Sequence, residues 1–433
     1  LRDAEKSFLR ATGPVPIAPK RFEDMLALHQ DWESQHAAQS RRVAVDITEP
    51  LRIGVVGLGA RSKLATHVET DQNGARIVAA CDPDPAARIR CSELLGKDPE
   101  TFPIVSSVRE LIELGLGAAF VTSPDDTHSH VTAELLEAGI PVYLEKPMAT
   151  TLESATRILT IAYETTTRLH VGHTMRHTPF IQQMRDLILE DAIGEVKAIW
   201  CRHFIGHDGY PYAKDRHIDQ RQPNDLSLQK AIDDLEAMHW LTGSHTRNVV
   251  GMGEPLIHEK ERENTQVTAP LFSLENRSKE RQVSFKDIVD VKYVSMLMAR
   301  MESGALISYQ QCHFTPDDRL SYTVIGSRGS IESFSNSENR VIRLRTDHSP
   351  YDEKRNREIV VQDGDENADS LAIADFLRFA RTGAPTETSP LDAWQAVATV
   401  IQATDSLRNE SQLRHIPSLP TKLVEYFSNN QKN

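Results

Sequence analysis

Two motifs in this sequence place residues that can do chemistry directly behind apolar runs. Gly57 and Gly59 follow the apolar run 51–56, and Lys146 follows the run 141–144. Glycines at such a turn let the backbone approach a pyrophosphate that lies on the N-terminus of the next helix. Lys146 stands at the carboxyl end of a predicted strand, which is where open parallel sheets bind their ligands. The two motifs together indicate a dinucleotide site with a lysine beside it.

Predicted strands and helices alternate around these motifs. The runs 76–81, 118–122 and 168–173 are predicted as further strands, and residues 86–95 and 130–138 have helical patterns. A helix can also open at Ser62, directly after the glycine turn. Strands that alternate with helices form a parallel, doubly wound sheet. We therefore predict an α/β fold that begins with a Rossmann NAD(P)-binding domain over residues 51–173.

An acidic residue ends the second predicted strand. Asp82 lies about 20 residues after Gly59, where a carboxylate accepts hydrogen bonds from the adenosine ribose hydroxyls. Asp84 adds negative charge that would repel the 2′-phosphate of NADP, so NAD is the preferred cofactor, while Arg61 keeps NADP as an alternative. Asp82 could instead serve only as a turn or helix-capping residue. The cofactor-binding residues predicted in this part of the sequence are Gly57, Gly59, Ala60, Arg61, Ser62 and Asp82.

These motifs resemble those of the glucose-fructose oxidoreductase, inositol dehydrogenase and rhizopine-catabolism (Gfo/Idh/MocA) family of NAD(P)-dependent oxidoreductases. The resemblance extends over roughly residues 51 to 427. It implies that Lys146 polarises a substrate hydroxyl and stabilises a developing alkoxide, and that Glu145 and Lys146 both line the cofactor pocket. Segments similar to the family's Thr-Pro-x-x-x-His loop and Gly-x-Asn-x-x-Arg crossover imply further cofactor contacts from Ser123, Pro124, His128 and Arg176.

One predicted helix departs from the family pattern at a position that carries chemistry. Residues 229–243 resemble the motif Lys-x-x-His-Asp-x-Asp-x-x-x-Trp-Leu-x-Gly, which implies substrate contacts for Lys230 and Asp234. The family's proton-shuttling histidine falls on Asp233, our second predicted catalytic residue. Histidine has an ordinary pKa near 6.5, which suits proton exchange at neutral pH, whereas that of aspartate is about 3.9. Asp233 is therefore a poor base unless burial or Asp234 raises its pKa.

The replacement of this histidine also changes what Lys146 can do. A carboxylate in contact with Lys146 would favour the charged lysine and oppose any role for it as a base. Either the proton path has moved or the dehydrogenase chemistry has weakened. Candidates for a moved path are His203, His207 and His217, in a segment that follows a predicted strand at 195–200 and that borders the substrate in relatives. We predict His207 and His217 as substrate-site residues and no metal site, because supporting Cys or Glu spacing is lacking.

The rest of the sequence predicts a second domain and a short extension. Beyond residue 291 the chain is rich in predicted strands, which are followed by predicted helices at 369–381 and 390–407. The resemblance implies an α+β domain over residues 174–433, with an open, mostly antiparallel sheet that binds substrate and forms a homo-oligomer. Residues 1–50 are predicted as a partly helical extension, with a helix from Arg21 to Gln39.

The composition argues against several other classes of protein. A formal net charge of −13 opposes binding to nucleic acids or anionic membranes. No apolar run approaches the roughly 20 residues of a membrane span, and no signal peptide is recognisable. The four cysteines are far apart and lack C-x-x-C spacing, which favours reduced thiols and a cytoplasmic protein.

Three functions are consistent with these residues. The first is an NAD(P)-dependent oxidoreductase that acts on a secondary hydroxyl or ketone of a sugar, cyclitol or related polyol. The second is a redox-neutral glycosidase that uses bound NAD transiently. The third is an NAD-binding regulator without catalysis, which the loss of the family histidine favours and the presence of Lys146 opposes. The sequence favours the first.

Overall fold

The computed structural model describes most of the chain beyond residue 48. The described residues are 49–69, 74–205, 226–254, 294–312, 315, 318–335, 340–346, 356–361 and 367–432, with only the backbone at 226–229, 254, 334 and 335. The predicted helix Arg21–Gln39, His207 and His217 lie outside these residues. Within them, no helix is both long enough and apolar enough to cross a membrane.

A parallel sheet carries the predicted dinucleotide motifs. Its strands are β1 (Leu51–Val56), β2 (Ala75–Cys81), β3 (Ile104–Val105), β4 (Ala118–Val121), β5 (Val142–Leu144) and β6 (Leu169–Val171). They run in the order β3-β2-β1-β4-β5-β6, and every neighbouring pair is parallel. The order reverses between β1 and β4, and ligands bind outside the carboxyl ends of the strands at such a switch point. This sheet confirms the predicted Rossmann fold.

Short helices connect these strands. They are α1 (Pro85–Ile89), α2 (Cys91–Leu95), α3 (Val108–Glu113), α4 (His128–Glu137) and α5 (Leu152–Thr165). The single helix predicted over 86–95 is divided at Arg90, whose N–H bonds the carbonyl of Ala87 only three residues earlier. The helix predicted at Ser62 is a 3-10 helix, Ala60–Val68, because the N–H and the hydroxyl of Ser62 both donate to the carbonyl of Gly59.

A second, mixed sheet follows along the chain. Its strands are β7 (Val196–Phe204), β8 (Thr246–Glu254), β9 (Val294–Met301), β10 (Leu306–Cys312), β11 (Arg319–Gly326), β12 (Ser330–Ser335), β13 (Arg340–Arg345), β14 (Asn356–Val361) and β15 (Arg414–His415). The order is β14-β13-β12-β11-β7-β10-β9-β8-β15. β7 and β10 are parallel, and the other pairs are antiparallel. The prediction of an open, mostly antiparallel sheet is confirmed.

Strand β7 is longer than the sequence pattern predicts. We expected it to end at Trp200 and to leave His203 in a loop, but the strand continues to Phe204. The extra residues pair with β10 on one side and β11 on the other, with His203 opposite Gln311 and Leu320. Two partner strands thus hold a segment that lacks a strong apolar pattern of its own, and His203 takes a defined position.

Helix α7 (Leu226–Thr242) lies between the cores of the two sheets. Ile232 packs into a core with residues of the first sheet, whereas Leu235 and Met238 pack with residues of the second. A helix that is buried almost all round in this way shows no single apolar stripe. Polar side chains on α7 are therefore enclosed where the two halves of the protein meet.

The last helices of the chain return to the first sheet. Four more helices are α6 (Pro179–Leu189), α8 (Ala368–Thr382), α9 (Pro390–Arg408) and α10 (Thr421–Ser428). Phe376 of α8 packs edge-on against Phe120 and Tyr143. Trp394 of α9 is buried, and its indole N–H donates to the hydroxyl of Thr156 at 3.0 Å. The core of the first sheet therefore depends on residues more than two hundred positions further along the chain.

Tyr143 and Gly172 fit together at the end of β6. The Tyr143 ring stacks between Phe120 and His170, with centroid distances of 4.8 and 5.3 Å. A Cβ atom added at Gly172 would lie 2.3 Å from the Tyr143 hydroxyl oxygen and 2.6 Å from its Cζ atom. The buried tyrosine therefore requires glycine at this position.

We expect Gly172→Ala to lower the free energy of unfolding by about 1–3 kcal/mol, because the added methyl must displace a packed ring. Gly59→Ala is the matched control, since a Cβ at Gly59 would meet no atom within 4 Å. Urea denaturation of both variants measures the difference. Equal unfolding midpoints for the two variants would contradict this account of the packing.

Candidate active site

The glycine turn after β1 forms an open cradle. Gly57 has a φ of +90°, and a Cβ there would lie 2.5 Å from the backbone of Ser123, so both its conformation and its surroundings require glycine. The Thr122 hydroxyl donates to the carbonyl of Gly57 at 2.9 Å. Gly59, in contrast, faces open space. A turn that is held firmly on one side and open on the other fits the pyrophosphate of a dinucleotide.

Asp82 is held beside this turn. One carboxylate oxygen accepts a hydrogen bond from the N–H of Leu58 at 2.8 Å, and the other accepts from the N–H of Asp84 at 2.8 Å. Each oxygen has a second lone pair that a ribose hydroxyl can use. Asp84 itself caps α1 through the N–H of Ala86. The carboxylate of Asp82 is thus oriented in advance where the fold would place the adenosine ribose.

Arg61 connects the turn to the lysine motif. Its Nε atom donates to Glu145 Oε1 at 2.8 Å, and its Nη1 atom lies 3.3 Å from Asp369 Oδ2. Burial alone would lower the pKa of Arg61, but the two carboxylates outweigh it and raise the pKa above its usual range. Glu145 is buried, and its other oxygen accepts from the backbone N–H of Lys146 at 2.8 Å. These contacts neutralise Glu145 and position the start of the lysine turn.

His128 joins two loops at the same edge of the sheet. Its ring nitrogens lie 2.7 Å from the carbonyl of Pro147 and 2.9 Å from the carbonyl of Ser123. The Ser123 hydroxyl accepts a further hydrogen bond from Thr127 at 2.6 Å. Pro124 lies between them and precedes a short 3-10 helix. His128 thereby ties the Ser123 loop to the Lys146–Pro147 turn, and its buried ring has a positioning role.

Lys146 forms an ion pair with Asp233, across the boundary between the two sheets. Its Nζ atom lies 2.9 Å from Asp233 Oδ2, and the two side chains are 25% and 24% exposed. Burial alone would lower the pKa of Lys146, but Asp233 and then Glu145 raise it above the usual value. Burial alone would raise the pKa of Asp233, but Lys146 and His173 hold it well below its usual range. The pair is therefore an ammonium and a carboxylate at neutral pH.

His173 completes this group and was not among the predicted site residues. Its Nδ1 atom lies 3.2 Å from Asp233 Oδ1, and the ring is buried. Its Nε2 atom is also buried and has no hydrogen-bond partner among the described residues. His173 follows β6 as closely as Lys146 follows β5, so the strand-end reasoning that identified Lys146 could have identified this residue as well.

A second carboxylate–imidazole pair lies next along α7. Asp234 Oδ2 is 2.6 Å from His203 Nδ1, and Asp234 Oδ1 accepts from the hydroxyl of Tyr322 at 2.7 Å. Asp234 is buried, whereas the His203 side chain is 22% exposed. Burial alone would lower the pKa of His203, but Asp234 raises it above its usual value. Lys230 stands one helical turn before these two aspartates and is partly buried.

Arg176, which the resemblance assigns to the cofactor, has several partners within the protein. Its Nη1 atom donates to the carbonyl of Glu387 at 2.6 Å, its Nη2 atom donates to Asp392 Oδ2 at 2.7 Å, and its Nε atom donates to Glu236. The guanidinium also lies 5.5 Å from the centre of the Trp240 ring. These contacts tie the chain after β6 to α7 and α9. A contact between Arg176 and the cofactor stays a prediction.

The assembled groups can bind and polarise an oxygen atom beside a dinucleotide. Lys146 offers a permanent positive charge and N–H donors at the carboxyl end of β5, while His203 is the partly exposed group whose ordinary titration range is close to neutral pH. Within the part of the chain that the structure describes, no group of three or more His, Cys, Asp or Glu side chains could hold a metal ion. The charged and titratable groups described at the site are an ammonium, carboxylates and imidazoles.

Comparisons with known proteins agree with this architecture. Myo-inositol dehydrogenase Hyg17 of Streptomyces leeuwenhoekii is 28% identical over 206 residues, which are 48% of this chain and 60% of that protein. The rhizopine catabolism protein MocA of Rhizobium meliloti is 25% identical over 198 residues, 46% of this chain and 59% of that protein. The chain thus spans about three fifths of the length of these relatives.

Solved structures share the fold across most of the chain. The oxidoreductase domain protein of Kribbella flavida has a TM-score of 0.68 at 18% identity. The match covers 86% of this chain and 100% of the Kribbella flavida chain. The WlbA dehydrogenase of Bordetella pertussis, solved with NADH and UDP-GlcNAcA, has a TM-score of 0.66 at 19% identity and covers 86% of this chain and 100% of its own. Identities this low establish the fold alone.

The family itself is established by two matches that lie side by side in the sequence. Residues 51–173 match a domain described as "Oxidoreductase family, NAD-binding Rossmann fold". Residues 181–332 match the "GFO/IDH/MocA C-terminal domain". Together the two matches cover more than half of the chain, in the order in which the two sheets occur. The chain therefore belongs to the Gfo/Idh/MocA family of NAD-binding oxidoreductases.

Proposed function

We propose that this protein is an NAD(P)-dependent oxidoreductase that transfers hydride between nicotinamide and a secondary hydroxyl or ketone of a sugar, cyclitol or related polyol. The observation that carries the proposal is the ammonium of Lys146, held 2.9 Å from Asp233 at the strand end next to the glycine cradle. Relatives named myo-inositol dehydrogenase and rhizopine catabolism protein support the substrate class.

The side chains divide the work of such a reaction. Bound NAD would supply a hydride acceptor at its nicotinamide ring. The turn at Gly57 and Gly59 would hold the pyrophosphate, and Asp82 the adenosine ribose. Lys146 would donate a hydrogen bond to the substrate oxygen and stabilise negative charge that develops there. Asp233, oriented by His173, would keep Lys146 charged and aimed.

The same geometry supports NAD over NADP. Asp82 accepts two backbone hydrogen bonds, as an ionised carboxylate does, and its charge would repel a 2′-phosphate on the neighbouring ribose. Arg61, which could have attracted that phosphate, is paired with Glu145 and Asp369. We therefore expect tighter binding of NADH than of NADPH.

One observation favours a second reading of the site. Lys146 is held as an ammonium and Asp233 as a carboxylate, so the residue at the family histidine position is not a proton acceptor near neutral pH. A protein of this kind could bind NAD without turnover and act as a regulator. It could also use NAD transiently in a redox-neutral glycosidase. Neither alternative would produce net NADH from a polyol.

We expect Lys146→Ala to lower kcat/KM for polyol oxidation by about 10²–10³-fold, because a charged donor to the developing alkoxide is lost. Asp233→Asn should cause a smaller loss, since the lysine remains but is less firmly held. NADH affinity, measured by fluorescence titration, should change little in either variant. Lys97→Ala is a matched control, because Lys97 is also paired with a carboxylate, Glu69, at 2.7 Å, but stands outside the site.

NADH titration of the wild type, combined with a screen for polyol turnover, also separates the three functions. Binding of NADH together with Lys146-dependent turnover of a polyol supports the oxidoreductase. Binding of NADH without turnover of any polyol in the screen supports the regulator or the glycosidase. Absence of dinucleotide binding would contradict all three, because each depends on the cradle at Gly57 and Gly59.

We also propose that the protein forms a homo-oligomer through its second sheet. The face of this sheet turned away from α7 exposes large apolar side chains on neighbouring central strands: Trp200, Met252, Met296, Met298 and Leu306. Trp200 and Met298 flank Ser308 in register, and Met252 is opposite Met296. Contiguous apolar surface of this kind marks association sites. A second copy of the same face would cover it symmetrically.

We expect Met298→Glu to shift the protein toward its monomer mass of 48.6 kDa, because a charge would be buried at the centre of the interface. Size-exclusion chromatography with light scattering measures the change. Ile89→Glu is the control, since Ile89 is also an exposed apolar residue but lies on α1 of the first domain. A wild-type protein that is already monomeric would overturn the proposal.

A cytoplasmic location is the last part of the proposal. Cys81, Cys91, Cys201 and Cys312 are free thiols, and three of them are buried. Unpaired cysteines are typical of a reducing compartment. This observation supports the location that the sequence predicts.

A further inference from the structure

The ion pair at the lysine leaves the proton of the substrate hydroxyl without an acceptor. Alcohol oxidation releases a proton from oxygen, and the group that takes it must be uncharged or basic in the right range. Lys146 already carries its full complement of protons, and Asp233 is stabilised as a carboxylate by Lys146 and His173. If the proposed function holds, another group must exchange the proton.

Among the described residues, two imidazoles are each paired with one of the two consecutive aspartates on α7. His173 is bound to Asp233, and His203 is bound to Asp234. The side chain of His173 is 1% exposed, whereas that of His203 is 22% exposed, close to the values for Lys146 and Asp233. Only His203 therefore has the access that a substrate requires.

The geometry sets the tautomer of His203. The Asp234 carboxylate accepts from the Tyr322 hydroxyl and from His203 Nδ1, which places a proton on Nδ1. A neutral imidazole has one N–H, so its Nε2 atom is then a proton acceptor. An aspartate that orients a histidine in this manner is a common feature of general bases.

His203 and Lys146 approach the same stretch of α7. Ile199, Cys201 and His203 alternate along β7 and therefore share the face that α7 covers. Asp233, the residue before Asp234 on α7, contacts Lys146, which belongs to the first sheet's half of the protein. Among the described residues, the charged groups that act on His203 are Asp233, Asp234 and Lys230 on α7. Tyr309 on β10 and Tyr322 on β11 interact with the same Asp234 carboxylate.

We propose that His203, oriented by Asp234 and Tyr322, exchanges the proton with the substrate oxygen in place of the family histidine. In oxidation, the substrate O–H bond breaks and an N–H bond forms at His203 Nε2, while hydride leaves the carbon for the nicotinamide of NAD and the C–O bond becomes a carbonyl. The imidazolium then passes its proton to water. In reduction the same atoms move in reverse. Asp234 and Tyr322 are positioning residues.

This assignment has a defined pH dependence. His203 must be neutral to accept a proton, so kcat/KM for oxidation should rise with pH through the pKa of His203 and level off above it. Burial opposes the charged ring, but Asp234 outweighs it and raises this pKa. Asp234→Asn should therefore move the acidic limb to lower pH. It should also lower the plateau, because the amide no longer enforces the tautomer.

The test compares His203→Gln with its matched variant His173→Gln in the full-length protein with NAD and a polyol that wild type oxidises. We expect His203→Gln to lower kcat by about 10²–10⁴-fold with a much smaller effect on KM, and to remove the acidic limb. His173→Gln should lower kcat less and keep that limb. Added imidazole should restore part of the activity of His203→Ala. Unchanged NADH binding reports that each variant is folded.

A measurement independent of turnover is the ring-nitrogen NMR titration of His203 without cofactor. The assignment predicts a pKa above the ordinary 6.5 in wild type and a lower value in Asp234→Asn. If the wild type oxidises a polyol and His203→Gln has the same pH profile as the wild type, the role of His203 is overturned and the proposed function stands. Absence of wild-type turnover on any polyol would overturn the proposed function, and the role of His203 with it.

Discussion

The contact between Lys146 and Asp233 is the interaction on which the arrangement of the site depends. It joins the carboxyl end of β5 to α7, and so joins the sheet that would hold the dinucleotide to the half that would hold the substrate. Each partner stabilises the charge of the other against partial burial. Asp233 stands where the sequence resemblance predicts the family's histidine, and in place of a titratable imidazole it provides a fixed negative charge. The remaining groups of the site are arranged around that charge.

The neighbouring contacts follow from this one. His173 lies next to the second carboxylate oxygen of Asp233. The negative charge of Glu145 also stabilises the ammonium of Lys146. Arg61 in turn neutralises Glu145. Positive and negative groups thus alternate from the glycine turn to α7. An isolated buried charge would be costly, but each of these charges has an opposite partner within hydrogen-bond distance.

The sequence predicts those features that depend on the order of residues along a single strand and on the residue that follows it. Gly57, Asp82 and Lys146 each follow a short apolar run, and parallel strands bring such ends together, so the fold and the dinucleotide edge could be inferred. The partner of Asp234 could not, because His203 belongs to a strand that is extended by its neighbours and not by its own pattern. The contact between Arg61 and Asp369 joins residues 308 positions apart, which no local spacing reveals.

The return of the last helices to the first sheet has a consequence for how this chain is made. Phe376, Trp394 and Tyr426 are buried against residues that leave the ribosome long before them. Domains usually fold as units while synthesis continues, at about 5–20 residues per second. Here the nucleotide-binding half keeps part of its apolar surface uncovered until the helices between Ala368 and Ser428 have been translated. Nascent chains of this protein are therefore expected to rely on chaperones during that interval.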